Sequence, residues 1–123
     1  MPNSNRSAEE KEISKAIIRF EKEFMGRGPL NAGTYIIDDL VIVRLKNVLT
    51  PAELKLAQSD AQDRGRTLIK TVRQELIEQG RAMLDAAIKD ILGIDVVSLH
   101  TDISAKTGER IIVFTLESAP KIS

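Results

Sequence analysis

The feature that most constrains this chain is a helical pattern of about 30 residues in a sequence of only 123. Apolar side chains recur at three- and four-residue spacing up to Gly93, at Ile69, Val72, Leu76, Met83, Ala87 and Ile91. An unbroken helix from Asp63 spans ~45 Å, whereas a chain of this length has a radius of gyration of roughly 14 Å. The helix therefore bends near Gly80 or extends beyond its own domain. We favour extension against a second subunit, which predicts a homodimer.

A first helix is predicted over residues 8–25. Ser7 and Glu10 fit a capping box, in which a hydroxyl and a carboxylate satisfy free backbone N–H groups. The apolar stripe that follows consists of Ile13, Ile17, Phe20 and Phe24. Gly26 is the expected residue just beyond the helix, and Pro29 prevents the helix from continuing.

Residues 34–45 predict a β-hairpin with a tight turn at Asp38 and Asp39. Alternation places Val41, Val43 and Leu45 on one face of the second strand and Leu40, Ile42 and Arg44 on the other. Both faces are largely apolar. One face is therefore expected to meet helices, and the other a second sheet, a partner chain or further helices.

A second, short helix is predicted from Thr50 to about Ser59. Thr50 is the expected N-cap, Pro51 fits the first helical position, and Glu53 completes a capping box. A polar break over residues 60–66 then separates this helix from the long one.

The chain closes with a second predicted hairpin, formed by residues 94–104 and 109–118 around a turn at residues 106–108. Its first strand is predicted to place Val97, Leu99 and Ile103 on one face and Ser98, His100 and Asp102 on the other.

The element order is α-β-β-α-α-β-β, which predicts an α+β fold. We expect a four-stranded antiparallel sheet of two hairpins, packed with the N-terminal helix and the long helix. Residues 1–7 are predicted to be a disordered tail, residues 8–118 a single domain, and residues 119–123 a C-terminal tail.

Composition excludes several classes of protein. Eighteen basic side chains balance 18 acidic ones, which argues against nucleic-acid binding, since that usually requires a basic excess. The absence of Cys excludes disulfides, thiol nucleophiles and Cys-ligated metal sites. No apolar run reaches the ~18 residues of a membrane helix, and no signal peptide opens the sequence. We therefore expect a soluble, cytoplasmic protein without membrane insertion.

The Gly26-Arg27-Gly28 segment has two interpretations. It can form a backbone nest beside a guanidinium, which is a small anion site. It can also be a helix C-cap whose arginine is solvated or paired, and we favour this interpretation because no helix N-terminus follows to assist an anion.

His100 is the only histidine, and it shares a predicted strand face with Ser98 and Asp102. Catalysis would require an aligned nucleophile, and a metal site would require at least three ligands. We therefore predict a structural or hydrogen-bonding role for His100, with no catalytic residue, metal or cofactor, and a protein that is not an enzyme.

A basic cluster opens the long helix and consists of Arg64, Arg66, Lys70 and Arg73. Asp60, Asp63 and Glu75 interleave with these cations. We favour the interpretation that this cluster is a solvated or partner-facing surface over the interpretation that it is a nucleic-acid groove.

Three segments together resemble a known family: ISKAIIRFEKEFMGRGP (13–29), TYIIDDLVIVRLKNVLTPAE (34–53) and VVSLHTDISAKTGERIIVFTL (97–117). The phrases FMGRGP, LTPAE and LHTDIS followed by TGER are similar to those of the MpsC family of small bacterial proteins. The resemblance covers residues 8–117.

That family is associated with the Na+-translocating membrane potential-generating system. The resemblance implies an accessory component of a system that couples cation movement or inorganic-carbon uptake to membrane energetics. It carries over no catalytic residues. Its phrases supply candidates for ligand or interface contact: Gly26, Arg27, Gly28, His100, Thr101, Asp102 and Arg110, together with Pro29, Thr107 and Gly108 in turns.

Three functional hypotheses follow. The first is a peripheral regulator at the inner face of the membrane, which acts by protein–protein interaction with a membrane transporter complex. The second is a small-ligand or anion sensor, in which Arg27 and the Ser98–His100–Asp102 face form a pocket in a homo-oligomer. The third is an enzyme that uses His100 and Asp102 as acid and base, and this is the least favoured.

Overall fold

The computed structural model describes residues 5–29, 31–58 and 64–122, and within these ranges it contains three helices and four strands. In chain order they are α1 (Arg6–Phe24), β1 (Asn31–Ile37), β2 (Leu40–Lys46), α2 (Pro51–Ala57), α3 (Arg64–Leu92), β3 (Val96–Ile103) and β4 (Arg110–Leu116). The predicted order and the α+β class are confirmed. Residues 1–4 of the predicted N-terminal tail lie outside the described ranges, as does residue 123.

The strands form one antiparallel sheet in the order β1-β2-β4-β3. The two hairpins therefore meet through β2 and β4, where Val43 lies opposite Ile112. This places β1 and β3 at the two edges of the sheet. The turn between β1 and β2 is the predicted Asp38-Asp39 pair, and Asp38 has a positive φ of 54°, a conformation that aspartate tolerates better than most residues.

One face of the sheet is buried beneath α1 and α3, and the side chains of β2 alternate as predicted. Buried side chains on this face include Ile36, Val41, Val43, Leu45, Ile112, Phe114 and Leu116. The opposite face is open among the described residues, and Tyr35 and Ile37 are half exposed there. The helices therefore cover a single apolar face.

The start of α1 differs from the predicted capping box. The N-cap is Asn5, whose side chain accepts a hydrogen bond from the N–H of Ala8 at 3.2 Å. Asparagine is as effective an N-cap as serine, so the helix starts earlier and Ser7 lies inside it. The Glu10 carboxylate instead accepts the N–H of Ile36 at 2.8 Å, which attaches α1 to the edge strand β1.

The long helix α3 is continuous over 29 residues and passes through Gly80. Its buried line consists of Gly65, Ile69, Arg73, Ile77, Gly80, Leu84 and Ile88. The predicted stripe was therefore wrong at Val72 and Met83, which are 53% and 52% exposed. The prediction from apolar spacing did not include the buried Arg73 or the buried Gly65 and Gly80. The predicted polar break is also partly wrong, because residues 64–66 are helical, while residues 60–63 lie outside the described ranges.

Helix α2 begins at the predicted capping box. The side chain of Thr50 accepts from the N–H of Glu53 at 3.1 Å, and the Glu53 carboxylate accepts from the N–H of Thr50 at 2.9 Å. The described helix ends at Ala57, and the predicted end at Ser59 lies outside the described ranges.

The second hairpin contains an irregularity that changes one predicted core residue. Val96 lies opposite Leu116 and Ser98 lies opposite Thr115, so Val97 is the extra residue of a bulge. A bulge shifts the alternation of side chains by one position. Val97 is consequently exposed, whereas Val96 packs against the core.

Helices α2 and α3 approach each other closely at Gly65. A Cβ atom at this position would lie 2.0 Å from the carbonyl oxygen of Leu56. Glycine is therefore required there by the neighbouring backbone, although glycine normally weakens a helix.

We predict that Gly65→Ala lowers the free energy of unfolding by about 1–3 kcal/mol, because the added methyl group forces α2 away from α3. This loss outweighs the ~1 kcal/mol that alanine contributes to a helix. Urea denaturation measures the effect, with Ala86→Gly at an exposed position of α3 as the control for helix propensity. A Gly65→Ala protein that is more stable than wild type would contradict the close approach.

Candidate functional site

Three charged side chains occupy core positions of three different elements. Glu21 in α1 is fully buried, Arg73 in α3 is 2% exposed, and Arg110 in β4 is 1% exposed. Each follows the buried pattern of its own element: Glu21 comes four residues after Ile17, Arg73 four residues after Ile69, and Arg110 two residues before Ile112. Buried charges are costly unless they are paired, so the arrangement of these groups identifies the most unusual part of the fold.

Arg73 connects α3 to α2 and to the loop before it. Its Nη2 donates to Oε1 of Glu53 at 2.6 Å, and its Nε donates to Oε2 of the same carboxylate at 3.1 Å. Nη2 also donates to the carbonyl oxygen of Val48 at 3.0 Å. A carboxylate bound through both oxygens is the strongest partner for a guanidinium. The capping box positions Glu53 for this contact, because Glu53 Oε1 also accepts from Thr50.

The electrostatic surroundings of Glu53 favour its charged form. Burial acts to raise the pKa of Glu53, but hydrogen bonds from Arg73 and Thr50 outweigh it and lower the pKa. Glu53 therefore serves as the negatively charged partner of Arg73.

Glu21 has weaker support than Glu53. Its Oε1 lies 3.8 Å from Nη1 of Arg73, and neither carboxylate oxygen has a hydrogen-bond partner among the described residues. Burial raises the pKa of Glu21, and the positive charges of Arg110 and Arg73 only partly oppose this effect. Glu21 is therefore a buried carboxyl group whose neutral form is favoured relative to water.

Among the described residues, Arg110 forms a side-chain hydrogen bond through one of its three guanidinium nitrogens. Its Nη1 donates to Oγ1 of Thr101 at 2.8 Å, and that hydroxyl donates to the carbonyl oxygen of Ile111 at 2.8 Å. Its Nε and Nη2 have no hydrogen-bond partner among the described residues. Burial lowers the pKa of Arg110 while Glu21 acts to raise it, and a guanidinium stays charged in proteins.

A cavity of about 400 Å³ lies between α3 and the hairpin of β3 and β4. Arg73 and Arg110 line it, and the side chains of Thr71 and Gln74 line its α3 side. We call this cavity the arginine pocket.

The mouth of the arginine pocket carries an ion pair. Lys70 Nζ lies 3.3 Å from Asp102 Oδ1, and both side chains are substantially exposed. A hydrogen bond from the N–H of Ile103 is the main cause of a lowered pKa of Asp102, with Lys70 as a further contributor. The pair can separate at little cost, since exposed ion pairs stabilise a fold by at most about 1 kcal/mol.

The structure brings together three of the sequence-predicted candidates. Thr101, Asp102 and Arg110 all lie at or beside the arginine pocket. His100 is next to Thr101 on β3 and lies opposite Val113, and its side chain is exposed. The proposed relation of His100 to Asp102 on one strand face is therefore present in register, but Asp102 turns to Lys70 at the sheet edge.

The candidates at the end of α1 lie elsewhere. Gly26 has a positive φ of 87°, which fits the favoured C-cap interpretation. The Arg27 N–H donates to the carbonyl oxygen of Glu21 at 3.2 Å, and Nε of Arg27 donates to the carbonyl oxygen of Asn47 at 3.4 Å. Gly28 lies beside Lys22 and follows this turn.

Sequence reasoning missed four residues of the site: Glu21, Glu53, Lys70 and Arg73. The interpretation of Arg73 as part of a solvated or partner-facing cluster was wrong, because this side chain is buried. The available signal was a charged residue at a core position of an apolar stripe, with Ile69 and Ile77 four residues on either side of Arg73.

Within residues 5–29, 31–58 and 64–122, no group of three or more acidic or histidine side chains is arranged to hold a metal ion. No helix in the same ranges combines the length and apolar character needed to cross a membrane.

The pKa shifts of Glu21 and Glu53 predict opposite responses to pH. The raised pKa of Glu21 contributes stability below its ordinary value of 4.5, and this contribution is lost as pH rises through the folded-state pKa. Relative to Glu21→Gln, wild type should therefore lose stability between pH 4 and pH 7. Urea denaturation at both pH values measures the difference.

Glu53→Gln is the matched control, because a lowered pKa contributes stability above 4.5 that is lost as pH falls through the folded-state pKa. Wild type should gain stability relative to this variant over the same rise in pH. A gain relative to Glu21→Gln as well would show that Glu21 is a fully paired carboxylate.

Comparison with known proteins gives a family match over almost the whole chain. The family described as "Na+-translocating membrane potential-generating system (MpsC)" matches residues 5–118. A relative from Bacillus subtilis strain 168, described as the uncharacterized protein YbcI, is 46% identical over 107 residues, which are 87% of this chain and 84% of the relative. No solved structure matches the chain significantly. The resemblance seen in the sequence is thus confirmed, and this chain belongs to the MpsC family.

Proposed function

We propose that this protein is an accessory or regulatory component of a Na+-translocating membrane potential-generating system, and that it acts by binding a protein subunit of that system. Family membership supports the connection to such a system. The main support for action by protein binding is a line of exposed apolar side chains along α3.

The exposed line of α3 consists of Leu68, Val72 and Met83, which are 47%, 53% and 52% exposed. Leu76 lies between them and is partly buried. At about 100° per residue these four positions fall within one quarter of the helix circumference. A stripe of this kind on a helix is the pattern by which a helix docks against a partner protein.

The centre of the exposed line lies on a different side of α3 from Lys70 and Gln74 of the arginine pocket. Lys70 and Gln74, which line the pocket, are roughly 140–180° away from Val72 and Met83 around the helix axis. The residues of the exposed line and the residues that line the pocket are therefore different.

The occupant that we propose for the exposed line is a subunit of the membrane system. A second copy of this chain is the alternative occupant, which the length of α3 suggested in the sequence. Light scattering of the purified protein separates the two: a dimer that Val72→Glu converts to monomer assigns the line to self-association and overturns its assignment to the membrane subunit.

We predict that Val72→Glu reduces recovery of the membrane subunit about ten-fold or more when tagged protein is purified from gently solubilised host membranes. A charge introduced into an apolar interface loses its hydration without gaining a partner. Ala82→Glu is the matched control, because Ala82 is exposed on the same helix and lies off the line, so recovery with this variant should equal wild type.

The functional arm uses inverted membrane vesicles from host cells that lack the protein. Added wild-type protein should change the Na+-dependent membrane potential, measured with a voltage-sensitive dye, and Val72→Glu should not. The proposal fails if wild-type protein neither recovers a membrane subunit nor changes the Na+-dependent potential.

A further inference from the structure

The two buried arginines of the site differ in how their hydrogen-bonding edges are used. The edge of a guanidinium that carries Nε and Nη2 presents two parallel N–H donors, which match the two oxygens of a carboxylate or phosphate. In Arg73 this edge is filled by Glu53. In Arg110 both atoms of the same edge have no hydrogen-bond partner among the described residues.

It is energetically unfavourable that the Nε–Nη2 edge of Arg110 has no hydrogen-bond partner among the described residues. Arg110 is 1% exposed, and a buried charged donor without a partner costs more than a neutral one. Glu21 is the acidic group that acts most strongly on Arg110, but its carboxylate also has no hydrogen-bond partner among the described residues, and burial raises the pKa of that carboxyl group. The cationic edge is therefore incompletely neutralised by the chain itself.

Both atoms of this edge are buried, and the arginine pocket, which Arg110 helps to line, is the cavity through which an anion would reach them. Arg110 lines the cavity, and Lys70 stands at the mouth in an exposed ion pair with Asp102. When that pair separates, Lys70 Nζ becomes available to an entering anion. Thr67 and Thr71 also line the cavity, and the Thr71 hydroxyl donates to the carbonyl oxygen of Thr67.

We propose that the arginine pocket binds a small organic molecule through an oxyanion, a carboxylate or phosphate group, which occupies the Nε–Nη2 edge of Arg110 and is contacted at the mouth by Lys70. Arg73 lies beside this oxyanion and adds positive charge, while its own edge stays with Glu53. The cavity of about 400 Å³ lies in the lower part of the range for small-molecule sites, roughly 300–1,000 Å³.

This assignment does not depend on the proposed accessory role. The oxyanion site uses residues that are not part of the exposed line, and its test uses the purified protein alone. Loss of either proposal leaves the other standing.

The experiment titrates purified, isotope-labelled protein with sodium phosphate and, separately, with sodium malonate, at ionic strength matched with sodium chloride. The probes distinguish a preference for phosphate from a preference for carboxylate. The Nε–H resonance of Arg110 should shift saturably with at least one probe. The Nε–H resonance of Arg73, whose edge is already filled, should shift less.

We predict that Lys70→Gln weakens binding of the effective probe roughly five-fold, since one charge-assisted contact at an exposed mouth is lost. Lys70→Arg should retain affinity within about two-fold, because it keeps the positive charge. Lys89→Gln is the matched control: Lys89 is also an exposed α3 lysine in an ion pair, with Asp95 at 2.8 Å, but it lies at the other end of the helix. Its affinity should equal wild type.

Two results overturn the assignment. If neither phosphate nor malonate shifts the Arg110 resonance more than chloride does, the edge of Arg110 is held by Glu21 and the pocket is not an oxyanion site. If Lys70→Gln and Lys89→Gln weaken binding equally, the anion responds to overall charge and not to the arginine pocket.

Discussion

The buried guanidinium of Arg73 is the interaction on which the arrangement of the helices depends. It is bonded to the carboxylate of Glu53 in α2 and to the carbonyl oxygen of Val48 in the loop before α2, and it lies close to Glu21 in α1. Three separate parts of the chain thus converge on one side chain of α3. Removing one partner from a buried pair of this kind is strongly destabilising, whereas an apolar replacement of the whole cluster can be neutral. The cluster is therefore better understood as a device that selects one arrangement of α2 on α3 than as a net source of stability.

The same guanidinium also lines the polar pocket of this fold, together with Arg110. Arg110 is on the sheet face that the helices cover, between the apolar side chains of Leu45 and Ile103 in register. The cavity lies beside this arginine, between α3 and the hairpin of β3 and β4. Helix α3 carries the buried Arg73 on one side and the exposed line on another. A structural requirement and two proposed binding surfaces thus share α3.

Local signals were sufficient to predict the elements and their order. The capping box at Thr50 and Glu53, the turn at Asp38 and Asp39, and the helix end at Gly26 each act within a few residues, so sequence alone contains the information. The pairing of β2 with β4 was not readable, because both hairpins have comparable apolar strands and strand order depends on contacts distant in sequence. The bulge at Val97 was missed for the related reason that one extra residue changes the alternation without changing composition.

The candidate site was predicted only in part. Thr101, Asp102 and Arg110 were found through family phrases, whereas Glu21 and Arg73 were missed because helical periodicity counts apolar residues and treats a charge as a solvated position. In this chain the charge occupies the buried line itself. A charged residue with apolar neighbours four positions before and after it is the sequence sign of such a site, and it distinguishes Arg73 from Arg64 in the same basic segment.

The central claim is that Arg73 and Glu53 act as one coupled pair that fixes α2 on α3, and a double-mutant cycle tests it most directly. The free energy of unfolding would be measured at pH 7 for wild type, Arg73→Met, Glu53→Gln and the double variant. Contact between the two side chains predicts a coupling energy of about 1–3 kcal/mol, with the double variant more stable than the sum of the single losses implies. Additive losses, with coupling near zero, would contradict the claim and leave the buried arginine without its structural role.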